Sequence, residues 1–286
     1  MPDSSPNREL ASNLAPGAIR PEFADEVAEA EHPVVFRDVT WDDYDAMLRI
    51  RGCRRFKITY DQGLMEVLFP ARREVFSAVS WDDYEAMLRI VGDRPIRVTY
   101  DRGDLEILMP SQRHEQYSRL LGKLVEEVAQ ELGLDYLALG MTTWRRHDME
   151  RGLEPDQSYY IRHEAIVRQK DAIDLAVDPP PDFAIEVDIT RSSLDRLGIY
   201  AQLGIPEVWR FDGSRLTIYR LSEHATYTPG DASACLPNLT ADAVVRLVEL
   251  GRTLPTSQWV RALREFVADH LAPRPRPEGP DGAEQP

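Results

Sequence analysis

The chain has 286 residues, 43% of them hydrophobic, and a net charge of -15. That is enough for one good core and a small second unit; no apolar run is long enough for a transmembrane helix, and an acidic chain lacks the Lys/Arg excess by which proteins hold nucleic acid without specificity. Its two cysteines, Cys53 and Cys235, are far apart and without metal spacing, and with a polar start free of a signal-peptide apolar region they point to a reduced, cytoplasmic protein.

Residues 1–33 are polar with little periodicity and read as a disordered tail. A repeat comes next. Val39-Thr-Trp-Asp-Asp-Tyr-Asp-Ala-Met-Leu-Arg-Ile50 returns forty residues later as Val79-Ser-Trp-Asp-Asp-Tyr-Glu-Ala-Met-Leu-Arg-Ile90, Thr59-Tyr-Asp-Gln-Gly63 returns as Thr99-Tyr-Asp-Arg-Gly103, and Pro70 matches Pro110. Each copy opens with a capping box, Thr40 with Asp43 and Ser80 with Asp83, and so begins a short helix. Each continues into two strands around its Asp-x-Gly turn. The pattern reads as a tandem duplication of one helix-hairpin unit. The first copy, residues 34–73, is read as accessory; the second opens the core, residues 74–225.

His114 to Gly133 has the three-four apolar spacing of an amphipathic helix, with Glu126, Glu127, Gln130 and Glu131 mostly off the apolar face. Tyr136 to Thr143 reads as a strand, Arg145 to Gly152 as a charged turn, Ser158 to Ile161 as a strand, and residues 162–178 as a charged connector with a short helix. Phe183 to Ile189 is a short buried strand. Thr190, Ser192 and Ser193 offer caps for a helix from Leu194 to Leu203, closed by Gly204. Ile205 to Phe211 and Leu216 to Leu221 form a hairpin about Asp212-Gly213. Strand, helix and strand in that order describe an α/β crossover unit. A polar stretch then leads to helices at Thr240–Leu250 and Ser257–Leu271, a C-terminal extension over residues 226–272. Residues 273–286 read as a second disordered tail.

Glu186 and Asp188 stand two apart in an apolar strand and therefore share a face. Burying two carboxylates together is costly without a cation or other partners. A metal ion is one solution and a solvated sheet edge the other; residue types leave both open. The six histidines show no zinc-ligand spacing.

Glu154-Pro-Asp156, Pro181-Asp-Phe-Ala-Ile-Glu186, Asp195, Tyr200, Gly204 and Pro206-Glu-Val-Trp209, in that order and spacing, resemble the Uma-two family of restriction endonucleases, within the PD-(D/E)XK nuclease-like superfamily. Thr142-Thr-Trp144 and Gly152 fit one branch of it. The likeness runs from about Trp81 to Leu221. It implies an α/β fold, a restriction-endonuclease-like mixed sheet flanked by helices, and a Mg²⁺- or Mn²⁺-dependent hydrolysis of DNA phosphodiester bonds. It implies Asp156 and Glu186 as metal-holding catalytic acids. Asp188 falls where the superfamily motif carries a lysine, and the positive residue on the following helix, four before the tyrosine, is Arg196 here. Arg196 stays protonated and so serves as a phosphate clamp rather than a base. His114-Glu115 matches the start of the family's next helix. Asp188, Glu115, Glu106 and His114 are further candidates beside bland roles: capping explains Glu115, Glu106 has two faces open to it, and Lys123 lies at the border of its helix's apolar face. Tyr200, Trp209 and Trp144 read as packing residues. DNA is the expected partner, with a homodimer as one compatible arrangement and no membrane. The rival readings are a nuclease-fold protein with little or no catalysis that binds DNA or a protein, and an interaction module without metal.

Overall fold

The computed structural model describes residues 32–54, 56–69, 71–189 and 194–271. The expected tails 1–33, apart from His32 and Pro33, and 273–286, and the expected caps Thr190, Ser192 and Ser193, lie outside the described residues.

The repeat folds as two like units. The first has β1 (His32–Phe36), α1 (Trp41–Arg51), β2 (Ile58–Asp61) and β3 (Leu64–Phe69), in a sheet ordered β1-β3-β2. The second has β4 (Arg73–Phe76), α2 (Trp81–Val91), β5 (Arg97–Asp101) and β6 (Asp104–Leu108), ordered β4-β6-β5. Thr40 makes the full capping box with Asp43. Ser80 caps the amide of Asp83, while the Asp83 carboxylate turns to Arg49 of α1 at 2.8 Å. Its counterpart Arg89 reaches Asp43 at 3.0 Å. Each helix thus gives an arginine to the cap of the other, an approximate two-fold arrangement between the copies.

The two units close over one apolar cluster. Met47, Met65 and Phe69 from the first copy and Phe76, Met87 and Leu105 from the second belong to it. Phe56 stacks on Phe69 and meets Phe76 edge-on. The core therefore does not divide at residue 73, which is itself the first residue of β4.

The long helix α3 (Gln112–Glu131) is capped by Ser111. It covers one face of a six-stranded sheet ordered β14-β13-β12-β11-β10-β7, with β7 (Leu137–Ala138), β10 (Gln157–Tyr160), β11 (Phe183–Val187), β12 (Glu207–Phe211), β13 (Leu216–Leu221) and β14 (Tyr227–Gly230). Strand alternation sends Phe183, Ile185 and Val187 to that face. The C-terminal helices Ala241–Thr253 and Thr256–His270 pack on the same side through Val244, Leu247, Trp259 and Leu263. On the other face Ala184 packs with a shorter helix, Arg196–Leu203, through Ile199, Tyr200 and Leu203. That helix joins β11 to β12, which run parallel, as the crossover pattern predicts; its cap is Asp195. A short helix, Glu164–Val167, interrupts the charged connector.

Several expectations change. Arg145 to Gly152 is not a turn: Trp144–Arg146 and Arg151–Leu153 form strands β8 and β9 about a 3-10 turn, and they extend the second copy's sheet to β4-β6-β5-β9-β8. Gly152 permits this, because a Cβ there would lie 2.2 Å from the Tyr84 hydroxyl. The strand expected over Tyr136–Thr143 shrinks to Leu137–Ala138, and a strand, β14, occupies the expected polar stretch. Glu127 is buried among apolar residues because Lys123 and Arg264 hold it, at 2.9 and 3.0 Å.

Deleting residues 34–71 is expected to expose the apolar faces of α2, β4 and β6, seen as a lower unfolding midpoint and increased binding of a hydrophobic dye. Phe69→Ala alone should cost about 3–5 kcal/mol in urea unfolding, the range for a fully buried phenylalanine.

Candidate active site

Asp156 immediately precedes β10 and Glu186 is in β11. The strands pair antiparallel with Gln157 opposite Ile185, and the Asp156 amide donates to the Ile185 carbonyl, which sets the two acids side by side. They line one cleft with Arg73, Arg97, Glu106, His114, Asp188, Arg196, Tyr200 and Arg210.

Asp156, Glu186, Glu106 and Asp188 each have an arginine. Arg97 reaches Asp156 at 3.1 Å, Arg196 reaches Glu186 at 2.6 Å, Arg73 reaches Glu106 at 3.0 Å, and Arg210 holds Asp188 through its Nε at 3.0 Å. The cation that the buried acids require is thus supplied by the chain.

Asp156 is enclosed. Its Oδ1 accepts from Nε and Nη2 of Arg97 at 3.2 and 3.1 Å, and its Oδ2 from the Val187 amide at 2.7 Å. His114 Nε2 lies 3.3 Å from the same Oδ2. A carboxylate offers about four acceptor positions, and these groups occupy them. Burial works to raise the Asp156 pKa, but His114, Arg97 and the Val187 amide outweigh it and hold the group below the usual range. His114 moves up in return: burial opposes its charge and the Asp156 contact overcomes that.

Glu186 differs. Its Oε1 accepts from Arg196 and from the Tyr200 hydroxyl. Burial, joined by the neighbouring Asp156 charge, raises its pKa in spite of Arg196. The arginine is anchored: it donates to the Glu154 carbonyl at 2.9 Å and to the Thr99 hydroxyl, tying the crossover helix to β5. Glu154 receives the Val98 amide and the Thr143 hydroxyl at 3.0 and 2.8 Å, and burial raises its pKa.

The sequence candidates Asp156, Glu186, Arg196, Asp188, Glu106 and His114 all line this cleft. Glu106 faces the site, while its counterpart Glu66 is exposed. Glu115 stands behind, 3.5 Å from Arg97 and 3.7 Å from His114. Lys123 is engaged by Glu127 and takes no part. Trp144 and Trp209 are core residues. Tyr200, read as packing alone, also donates to Glu186. Sequence reasoning misses Arg73, Arg97 and Arg210. Arg97 carries a signal: an arginine between Ile96 and Val98 in an apolar strand must find an acid. Among the described residues no group of three or more His, Cys, Asp or Glu side chains is arranged to hold a metal ion, and no helix is long and apolar enough to cross a membrane.

A mixed sheet crossed by a helix, with paired acids and arginines at its centre, defines a class of α/β protein. Residues 81–251 match the family described as "Uma2: Putative restriction endonuclease", and the chain belongs to that family. The match begins at the first residue of α2, so the first copy lies outside it. A crystal structure of a putative nuclease belonging to DUF820 from Anabaena variabilis is similar over 58% of this chain and 98% of its own, at 14% identity and a TM-score of 0.41. No curated protein matches the chain.

Asp156→Ala is expected to cost about 3–5 kcal/mol, since it takes from buried Arg97 its hydrogen-bonded anion and leaves it only Glu115 at 3.5 Å. Asp156 titrates below its ordinary 3.8, so its stabilisation is complete above that value and is lost as pH falls through the depressed one. Asp156→Asn should flatten the acid limb of a pH–stability profile below about pH 4, measured by urea unfolding at each pH.

Proposed function

We propose that this protein is a Mg²⁺- or Mn²⁺-dependent endonuclease that hydrolyses DNA phosphodiester bonds in the cleft of Asp156, Glu186 and Arg196, on a restriction-endonuclease-like core. The observation that carries the reading is the placement of Asp156, just before β10, beside Glu186 of the paired strand β11, with the anchored Arg196 against Glu186. Membership of a family described as restriction endonucleases supports it.

The donor chemistry suits a hard divalent cation, which takes carboxylate oxygens. Glu186 carries the sign of fit: both of its described hydrogen bonds fall on Oε1, which leaves Oε2 for a hard cation. Asp156 and Glu186 would hold the ion, with Arg97 or His114 yielding a position on Asp156. The ion would polarise the scissile phosphate and acidify a water. The chain's own residues do the rest. Arg196 is permanently charged, and burial does not change that because Glu186 raises its pKa further. A guanidinium fork holds phosphate oxygens in pairs. Tyr200 orients Glu186, and Arg97 with the Val187 amide fixes Asp156.

A second reading, a nuclease-fold protein with little catalysis that binds DNA or a protein, is favoured by the saturation of Asp156. Plasmid cleavage with and without Mg²⁺ or Mn²⁺ decides between them. Metal-dependent nicking that disappears in Asp156→Asn and Glu186→Gln supports the nuclease; wild-type rates in both variants would overturn the site.

Arg196→Ala should lower the cleavage rate about 10²–10³-fold, the scale for loss of a preorganised charge donor, while Mn²⁺ affinity measured by calorimetry stays close to wild type. Arg196→Lys keeps the charge but loses the fork to Thr99 and Glu154, and its rate should fall between the two.

A further inference from the structure

The two repeat copies are alike down to single hydrogen bonds, and that likeness isolates one difference. In each, a Trp-x-x-Tyr pair on the helix meets a tyrosine of the hairpin. Tyr44 stacks on Tyr60 and Tyr84 on Tyr100, both at 4.8 Å between centroids, and Trp41 and Trp81 stand edge-on at 5.7 and 5.6 Å. Tyr60 donates to the Val39 carbonyl at 3.1 Å and Tyr100 to the Val79 carbonyl at 2.9 Å.

In the second copy this aromatic group is covered. Strand β9 pairs with β5, placing Gly152 opposite Tyr100 and Arg151 opposite Asp101. Arg151 Nε lies 2.9 Å from the Asp101 carboxylate, Arg145 reaches Glu85 at 2.5 Å, and His147 covers Trp81 at 5.1 Å. Among the described residues the corresponding place in the first copy is open. Among the described residues β2 is the edge of its sheet, Trp41 is 64% exposed, and Asp61, the counterpart of Asp101, is exposed. Asp45, exposed too, stands where Glu85 does.

We propose that the edge of β2, with Trp41, Tyr44, Tyr60 and Asp61, is a docking site for an extended strand of another protein. The second copy specifies the occupant. It runs antiparallel to β2, puts glycine against the Tyr44–Tyr60 stack, and carries an arginine or lysine one residue earlier to meet Asp61. An apolar residue comes after the glycine, as Leu153 comes after Gly152. Main-chain pairing at a sheet edge supplies affinity and the side-chain positions supply selectivity. The exposed Asp61 carboxylate favours a basic segment, while Asp45 is held by Arg49 at 2.5 Å. Neither tail outside the described residues contains an Arg-Gly or Lys-Gly pair, so the chain's own ends do not supply this strand. The proposal stands independently of the cleavage reading, since the surface lies outside the family match.

The probe is a synthetic peptide with the sequence of residues 145–153, which holds no tryptophan, titrated into the full chain by calorimetry and, separately, by tryptophan fluorescence, with Trp41→Phe identifying the contribution of Trp41. The expected result is saturable binding with a blue-shifted emission that is absent in Trp41→Phe. Asp61→Lys should weaken binding about tenfold or more, the scale of a like-charge contact at an interface, and a peptide with valine in place of the glycine should not bind. Circular dichroism of Asp61→Lys, a change at the exposed last residue of β2, verifies that its fold is intact. No saturable binding would overturn the proposal. So would binding lost in Asp101→Lys but not in Asp61→Lys, which would mark displacement of the chain's own β9. Self-association by light scattering that vanishes in Asp61→Lys would also overturn it, by assigning the edge to a second copy of this chain.

Discussion

The cost of burying carboxylates governs the centre of this structure. An unpaired acid in a low-dielectric interior neutralises itself by taking a proton. Here Asp156 remains ionised because Arg97, His114 and a backbone amide converge on it. That requirement joins elements distant in sequence. Arg97 comes from the second repeat copy, His114 from the start of α3, and the amide from β11. Arg196 does the same for the crossover helix by binding Glu186, Glu154 and Thr99 together. The repeat-derived sheet and the six-stranded sheet meet at these ion pairs, so the second copy is part of the cleft rather than an appendage to it.

In the first copy the same sequence pattern is free of that requirement. Lys57, Thr59 and Glu66 stand where Arg97, Thr99 and Glu106 stand in the second, and all three are exposed. The apolar faces of the two copies kept their common purpose, because both pack into one cluster. Their polar faces separated: one lines a cleft and the other meets solvent. A repeated hairpin can thus hold its core constant while its outer face takes on a different task.

Local features were legible in the sequence where local physics sets them. Thr40, Ser80 and the apolar spacing of α3 placed the expected helices to within about two residues. A strand's period of two put Glu186 and Asp188 on one face, and both line the cleft, whereas Asp156 and Arg196 came into view only through the family resemblance. What escaped was set by tertiary contact. Arg145 to Gly152 is charged and reads as a turn, yet it forms β8 and β9 because β5 offers an edge and Gly152 fits under Tyr84. The arginine partners were hidden for the same reason: Arg97 and Asp156 are 59 residues apart, and no pattern along the chain couples them. Asp195 took the cap of the crossover helix because its carboxylate meets the Gly198 amide.

Arginines are exchanged between α1 and α2: Arg49 reaches Asp83 and Arg89 reaches Asp43, a reciprocity otherwise found between identical subunits across a two-fold axis. The N-terminal part of the chain is therefore built like a dimer whose halves are tied by a linker. The tether gives the halves a high effective concentration for each other, so this pairing persists at any dilution of the protein. A free-standing unit of the same kind would assemble only where its concentration allowed.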